Sequence, residues 1–579
     1  MLPSHHQSSS ARQRSSSQDT MKPFPEVREA RTPATTASMP RLIMRSIRSV
    51  RWRYVALFAG VSYVAYCFLT RQPLFAHPLP KHTGPYAVGV IDIEAPVSPS
   101  RVVDPAVFKG TDGNKAFEVS SVLFSLYYPV AKSIPGSKPD HHTHKRHTWI
   151  PRPLSLRAEG YAKAAHINNA FTNALFTGAL KILAGSITTP ALVDAPLSDH
   201  ATEKAKFATS WDKDESPQQV LAREISGHPV IVFSHGTVST RTDYSHYAGE
   251  LAARGYVVVM LEHRDGSGPG SLIKRHKGTK EKNRHVLLFD ESEVTTPSGS
   301  PLQIEDFHKA QLLFREAEIE EAVRVIKLIN AGQGSAVFAQ NPYAEGATLA
   351  AWEGRLNTEE MIMAGHSYGA TGALQALRGG PTPARPFKGG IILDPGKSSG
   401  PLNRDIRVPL LVVHSNSWSS HTSIFYGRAH FDTVKEIVTA NNERGNPSWF
   451  MTSLGTSHPS VTDAPLLEPW LLSFTTGATI DVYQGLRQYV HVAEDFLAFL
   501  HDGKERGLLA ERGEFPHYDP GTLLGMWKPG HGDDTKAREQ GEWWDWRSYW
   551  QVHVSAVDFG DDTLDRGARR RNKGLAFMS

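Results

Sequence analysis

The sequence predicts an α/β fold, a largely parallel sheet with helices on both faces. Three observations predict it. Short β-branched runs alternate with helical stretches from Pro85 onward; each run ends on Gly, Ser, Asp or His; and one run turns through Gly365-His366-Ser367-Tyr368-Gly369 into a helix-compatible stretch. Strands covered by helices on both faces read as continuous apolar runs. In open sheets of this kind sites assemble at the carboxyl ends of the strands, so the residues that end the runs are the first candidates for chemistry.

The chain has 579 residues, 63 Lys and Arg against 59 Asp and Glu, and one cysteine. A single thiol excludes an intramolecular disulfide and a cysteine-rich zinc site. The charge is uneven. Residues 1 to 53 hold ten basic and three acidic residues, a net of +7, which leaves 53 basic against 56 acidic residues elsewhere. The body therefore lacks the clustered Lys and Arg of a nucleic-acid binder. Residues 1–50 read as a disordered basic leader, too poor in large apolar side chains to offset the entropy of ordering.

An uncharged run follows from Tyr54 to Thr70, preceded by Arg41, Arg45, Arg48, Arg51 and Arg53. Its 17 residues would span about 25 Å as a helix, against about 30 Å of hydrocarbon in an average bilayer. The expectation is a single-pass signal-anchor with the leader in the cytosol and the body lumenal or outside, which points to the endoplasmic reticulum or secretory pathway. A cleaved signal peptide and a buried helix are the alternatives. Cys67, near the end of the run, reads as an apolar filler or an acylated thiol, and no permitted N-x-[ST] sequon occurs.

Along the body the expected strands are 87–93, 119–130, 229–236, 255–265, 361–367, 389–396, 409–415 and 448–455. Between them, the His-rich run 140–149 reads as a solvated insertion in preference to a transition-metal site. Residues 274–285 form a basic loop, solvated or touching anionic lipid. Residues 306–332 carry apolar positions at helical spacing, as a crossover helix needs. Residues 171–185 have a broad apolar face with Lys181 as its one charge. The expected catalytic domain covers 84–510, and a Trp-rich extension, 511–579, follows it.

The Gly-x-Ser-x-Gly turn makes Ser367 the nucleophile candidate, because a sharp strand-to-helix turn with small residues on either side leaves the hydroxyl exposed above the sheet. A second match, Gly396 to Gly400, runs into Pro401 and a loop, and is rejected. A serine nucleophile needs an imidazole base, and the base needs a carboxylate to fix its tautomer, in the chain order Ser, Asp, His for this turn. Asp394 ends the next strand after the turn, and His458 follows a late strand. His414, His421 and His430 are rival bases; Asp405, Asp432 and Asp463 are rival carboxylates. Two backbone N–H donors for an oxyanion are expected from Tyr368 and from Thr237, after Ser234-His235-Gly236. The triplet His263-Arg264-Asp265 lacks the asparagine pattern of a kinase catalytic loop and reads as a salt-bridged scaffold loop.

With these pieces in place the chain resembles the plasma-type platelet-activating-factor acetylhydrolases, serine phospholipases of the α/β-hydrolase fold. The resemblance runs from about Gly84 to Gly503 on GPYAVG, LYYPV, WIPRP, GSITTPA, VIVFSHG, RTDYSHYAGELAARGYVVVMLEHRDGSG, AGHSYGA and GIILD. It implies Ser367, Asp394 and His458 as the triad, Thr237 and Tyr368 as oxyanion donors, and no metal or cofactor. The implied substrate is a membrane-surface phospholipid with a short or oxidised sn-2 acyl chain, as in a 1-alkyl-2-acetylglycerophosphocholine esterase of lipid degradation. It also implies that 171–185 is an interfacial helix that admits lipid; core packing is the alternative. The chain departs from the pattern at Pro395-Gly396-Lys397, where an aromatic residue is expected, and matches around His458 through Gly-x-x-His alone. Another lipase or carboxylesterase, or a catalytically silent membrane-anchored interaction protein, are the competing readings.

Overall fold

In the computed structural model the described residues are 52–70, 73–111, 113–131, 144–199, 227–275, 282–425, 427–521 and 546–559. The basic leader, residues 140–143 of the His-rich run, part of the basic loop and the start of the Trp-rich stretch lie outside them.

The membrane expectation is corrected. The run at 54–70 does form a helix, α1 (Trp52–Thr70), but among the described residues no helix is long and apolar enough to cross a membrane. The uncharged stretch of α1 is 17 residues, about 25 Å of helix against a hydrocarbon core of about 30 Å, and Tyr54, Tyr63 and Tyr66 dilute its apolar character. The single-pass anchor, the cytosolic leader and the secretory-pathway location built on that span fall with it. The chain divides after Ala65 into two units, and the second holds everything described below.

Eleven strands of that unit make the path of the sheet: β1 (Ala87–Phe108), β2 (Lys115–Val130), β3 (Arg146–Thr148), β4 (Thr188–Val193), β5 (His228–Ser234), β6 (Val257–Glu262), β7 (Leu356–His366), β8 (Phe387–Leu393), β9 (Leu410–Ser415), β10 (Ser448–Ser453) and β11 (Trp550–Val554). Their spatial order is β11-β10-β9-β8-β7-β5-β6-β2-β1-β4-β3, and Val294–Thr295 adds a twelfth strand on β1. The six from β6 to β10 are parallel. β1 and β2 join antiparallel on one side and β11 antiparallel on the other. β1 runs well past the expected 87–93, with register shifts after Pro96 where prolines interrupt the ladder.

The alternation of side chains assigns each strand to two cores. Ile231, Phe233, Val258, Met260, Ile391 and Leu411 face α4 (Ser245–Ala252) and α8 (Val482–Asp502). Val230, Val232, Val257, Met363, Ile392 and Val412 face α5 (Ile304–Leu328), α6 (Tyr368–Ala376) and α7 (His430–Glu443). Every residue of β5 and β6 is buried, as central parallel strands require.

Two helices lie upstream of this core. α2 (Leu154–Ala164) packs on the fold, while α3 (Ala170–Leu183) buries none of its residues. Asn169 caps α3 by accepting from the N–H groups of Phe171 and Thr172. Phe171, Leu175, Ile182 and Leu183 are exposed, so core packing does not account for its apolar face.

After β5 the chain steps one way across the sheet to β6, and from β7 it steps the other way to β10. The reversal opens a crevice between the carboxyl ends of β5 and β7, where ligands bind in doubly wound sheets. Ser234 ends β5 and Ser367 follows β7, so the fold brings their loops to that crevice.

Candidate active site

Ser367 sits at φ 56° and ψ −124°, between the last residue of β7 and the first of α6. That backbone region is costly for a residue with a Cβ and is held by what surrounds it. The flanking glycines are required by space. A Cβ on Gly369 would lie 1.9 Å from the carbonyl oxygen of Ser234, and one on Gly365 would lie 2.2 Å from that of Gly369. The chain can therefore cross tightly over β5 only with glycine there.

The Ser367 hydroxyl lies 3.1 Å from His458 Nε2, and His458 Nδ1 lies 2.8 Å from Asp394 Oδ2. With the proton on Nδ1 donated to the carboxylate, Nε2 is free to accept from the serine. Asp394 is buried and also accepts from the Ser415 N–H at 2.6 Å and the Ser415 hydroxyl at 2.7 Å. The three groups thus form a continuous relay from β7, β8 and the loop after β10.

The rival side chains are engaged elsewhere. His414 is buried, bonded through Nδ1 to Ser419, and held far below the ordinary imidazole range by burial and by His430. His421 bonds the Ser417 carbonyl on the surface. His430 stacks on His414, and burial with Lys397 pushes it down to about 4. Asp405 pairs with Arg407. Asp463 accepts from Ser245, from the His246 N–H and from Trp149, so it pins the start of α4. Asp432 lies in the first turn of α7.

Thr237 lines a cavity of about 290 Å³ together with Ser367, His458, Trp149 and Tyr161. Tyr368 opens α6 directly after Ser367, so its N–H belongs to the helix N-terminus beside the hydroxyl. Its side chain is tied back, with the phenol donating to Gln311 at 2.6 Å and Arg315 4.4 Å from the ring centroid.

Below the crevice lies a buried ionic scaffold. Glu262 pairs with Arg157 and Arg241, Arg264 with Glu94, and Asp265 with Arg315. Arg315 also donates to the His235 carbonyl at 2.8 Å, so it ties α5 to the loop that carries Thr237. Ser234, His263 and Glu318 make a second hydroxyl–imidazole–carboxyl relay of 2.6 and 2.7 Å. No side-chain surface of His263 or Glu318 reaches solvent, so this copy serves the scaffold.

Among the described residues two groups have metal-ligating composition: His366, Asp394 and His458, and Asp92, His147 and Glu345. In the first, the hydrogen bonds of the relay already use Asp394 and His458; burial, with the neighbouring His458 ring adding to it, pushes His366 well below the ordinary imidazole range. In the second, Arg241 reaches Asp92 at 2.5 Å and His147 reaches it at 3.1 Å, so a guanidinium occupies the place a cation would take. Burial and Asp92 push Glu345 up to about 7. The described end of the His-rich run is thereby consumed in the fold, His147 on Asp92 and His144 on the Val193 carbonyl.

Three residues escaped the sequence reading. Ser415 ends its strand as a site residue should, a signal that was present in the run PLLVVHS. Trp418 lies flat on His458, ring centroids 3.9 Å apart, and His366 approaches it to 4.4 Å. Neither contact has a sequence signature, because each depends on where a loop places a ring.

A doubly wound sheet with a hydroxyl, an imidazole and a carboxylate relayed over its switch point defines a chain of the α/β-hydrolase fold. A family model described as platelet-activating factor acetylhydrolase, isoform II, matches residues 205–511, more than half of the sequence. The chain belongs to that family. Platelet-activating factor acetylhydrolase of Cavia porcellus is 25% identical over 353 residues, covering 60% of this chain and 62% of that protein. The Canis lupus familiaris protein of the same name is 24% identical over 404 residues, 69% of this chain and 70% of its own. A Schizosaccharomyces pombe protein with a provisional phospholipase A2 name is 34% identical over 150 residues, 24% of this chain and 33% of that protein. The chain thus spans between a third and 70% of these relatives. A ferulic acid esterase from Streptomyces cinnamoneus superposes on 76% of this chain and 96% of its own with a TM-score of 0.43 and 14% identity. The fold assignment rests on the strand order instead.

Proposed function

We propose that the chain is a serine ester hydrolase that removes a short or oxidised sn-2 acyl group from phospholipids. The observation that carries the reading is the relay from Ser367 through His458 to Asp394 over the crevice between β5 and β7.

In this mechanism Ser367 Oγ attacks the sn-2 carbonyl carbon while His458 Nε2 takes the hydroxyl proton, and Asp394 stabilises the imidazolium. The N–H groups of Thr237 and Tyr368 receive the charge that develops on the carbonyl oxygen. The tetrahedral intermediate collapses as His458 returns the proton to the departing glycerol oxygen, which releases the lysophospholipid and leaves an acyl ester on Ser367. Water then attacks that ester as His458 takes its proton, and the second tetrahedral intermediate collapses as His458 returns that proton to Ser367 Oγ, which releases the carboxylic acid and restores the serine. No metal enters these steps. The apolar exposed face of α3, with Phe474 exposed as well, supports approach of the lipid surface.

The test is the purified full chain with a fluorophosphonate probe, followed by a substrate panel. Labelling at Ser367 and release of acetate from a 2-acetyl phospholipid are expected. Folded protein that takes no label would sink the esterase reading and leave the silent interaction protein. Labelling with hydrolysis of simple esters but of no phospholipid would move the assignment to another carboxylesterase.

A further inference from the structure

Two in-plane hydrogen bonds hold the His458 ring, one to Asp394 and one to Ser367. They fix two points of the imidazole and leave it free to rock about the line joining them. Once Ser367 carries an acyl group its hydrogen bond to the imidazole is gone, and one point remains while His458 still has to activate water. Something against the ring face must hold the plane during that half of the reaction.

Trp418 is against that face, its plane 10° from parallel to the imidazole. It is itself fixed from the segment that follows Asp394. Its indole N–H donates to the Pro395 carbonyl at 3.0 Å. Lys397 Nζ lies 4.4 Å from its ring centroid and donates to the Trp418 carbonyl at 2.8 Å and the His421 carbonyl at 2.9 Å. The backbone of His458 is joined to the same loop, its N–H donating to the Ser417 hydroxyl at 2.9 Å.

We propose that Trp418, clamped by Pro395 and Lys397, is a positioning residue that holds the imidazole plane of His458 through both halves of the reaction. The proposal rests on the serine-esterase reading above. It also gives the departure at Pro395-Gly396-Lys397 a use: those residues reach the base through a tryptophan from the next strand end.

The test uses the full chain with p-nitrophenyl butyrate and four proteins: wild type, Trp418→Phe, Trp418→Leu and Lys397→Met. Trp418→Leu is expected to lower kcat about 10- to 100-fold, the scale of an ångström-size misplacement, with KM within about twofold. Trp418→Phe, which restores a flat ring, is expected to recover most of that loss. Lys397→Met is expected to lower kcat by a smaller factor, again with KM unchanged, and keeps the test alive should the leucine variant not fold. Folded Trp418→Leu with wild-type kcat would overturn the proposal, and so would a folded phenylalanine variant as slow as the leucine one. A wild-type chain that neither turns over the ester nor takes a fluorophosphonate would instead overturn the esterase reading beneath it.

Discussion

Ser367 depends on its neighbours for its backbone as well as for its proton. At φ 56° the turn is kept by the crossing over β5, where Gly369 has no room for a methyl group. Gly369→Ala is expected to lower the melting temperature as well as activity, since the Cβ would meet the Ser234 carbonyl at 1.9 Å. Ser367→Ala and His458→Ala are expected to reduce kcat by several orders of magnitude, and Asp394→Asn by about 10⁴-fold through the wrong imidazole tautomer. His414→Ala should stay close to wild type in the same esterase assay, because that ring is sealed against Ser419 and His430. At this scale the sequence was most readable. Ser367, Asp394 and His458 each end a run or follow one, whereas the ring that lies on His458 comes from a loop whose course no local pattern encodes.

Two helices carry expectations of their own. On α8, Asp495 is pushed up to about 7 by burial and by Glu494, against the opposing pull of His491 and Arg506. A carboxyl whose folded value lies above its unfolded one favours the fold while protonated. Its contribution is therefore complete below about pH 4 and is lost as the pH rises toward 7. Asp495→Asn stays neutral throughout, so its melting temperature should fall less than that of wild type between pH 4 and 8, read by thermal melts across that range. On α3, the exposed apolar face predicts a split between substrates. Phe171→Ser with Leu175→Ser should leave hydrolysis of soluble p-nitrophenyl butyrate near wild type and reduce hydrolysis of 2-acetyl phospholipid in vesicles. Equal rates on vesicles would remove α3 from the lipid-facing surface. The helix itself was legible from its spacing, but its surroundings were not: an apolar face reads the same whether a core or a bilayer covers it.

Across the whole molecule the central strands were legible because parallel strands buried on both faces announce themselves as apolar runs, as β5, β6, β8 and β9 do. What escaped was set by partners far away in the chain. β3 is a short edge strand, β4 is a short strand held between β3 and β1, and β11 joins the sheet across about a hundred residues from β10. Within β11, Trp550, Val552 and Val554 are buried, and His553 bonds Thr452 at 2.7 Å, so this segment of the C-terminal region is part of the sheet. That has a consequence for any shortened form. Removing residues after 521 would strip β11 from β10 and leave a fully buried strand with a row of open N–H and C=O groups. An open, apolar edge is a template for another chain. Such a truncated protein is expected to self-associate edge to edge, giving a heavier species by light scattering than the full chain does, even with Ser367, Asp394 and His458 all still present.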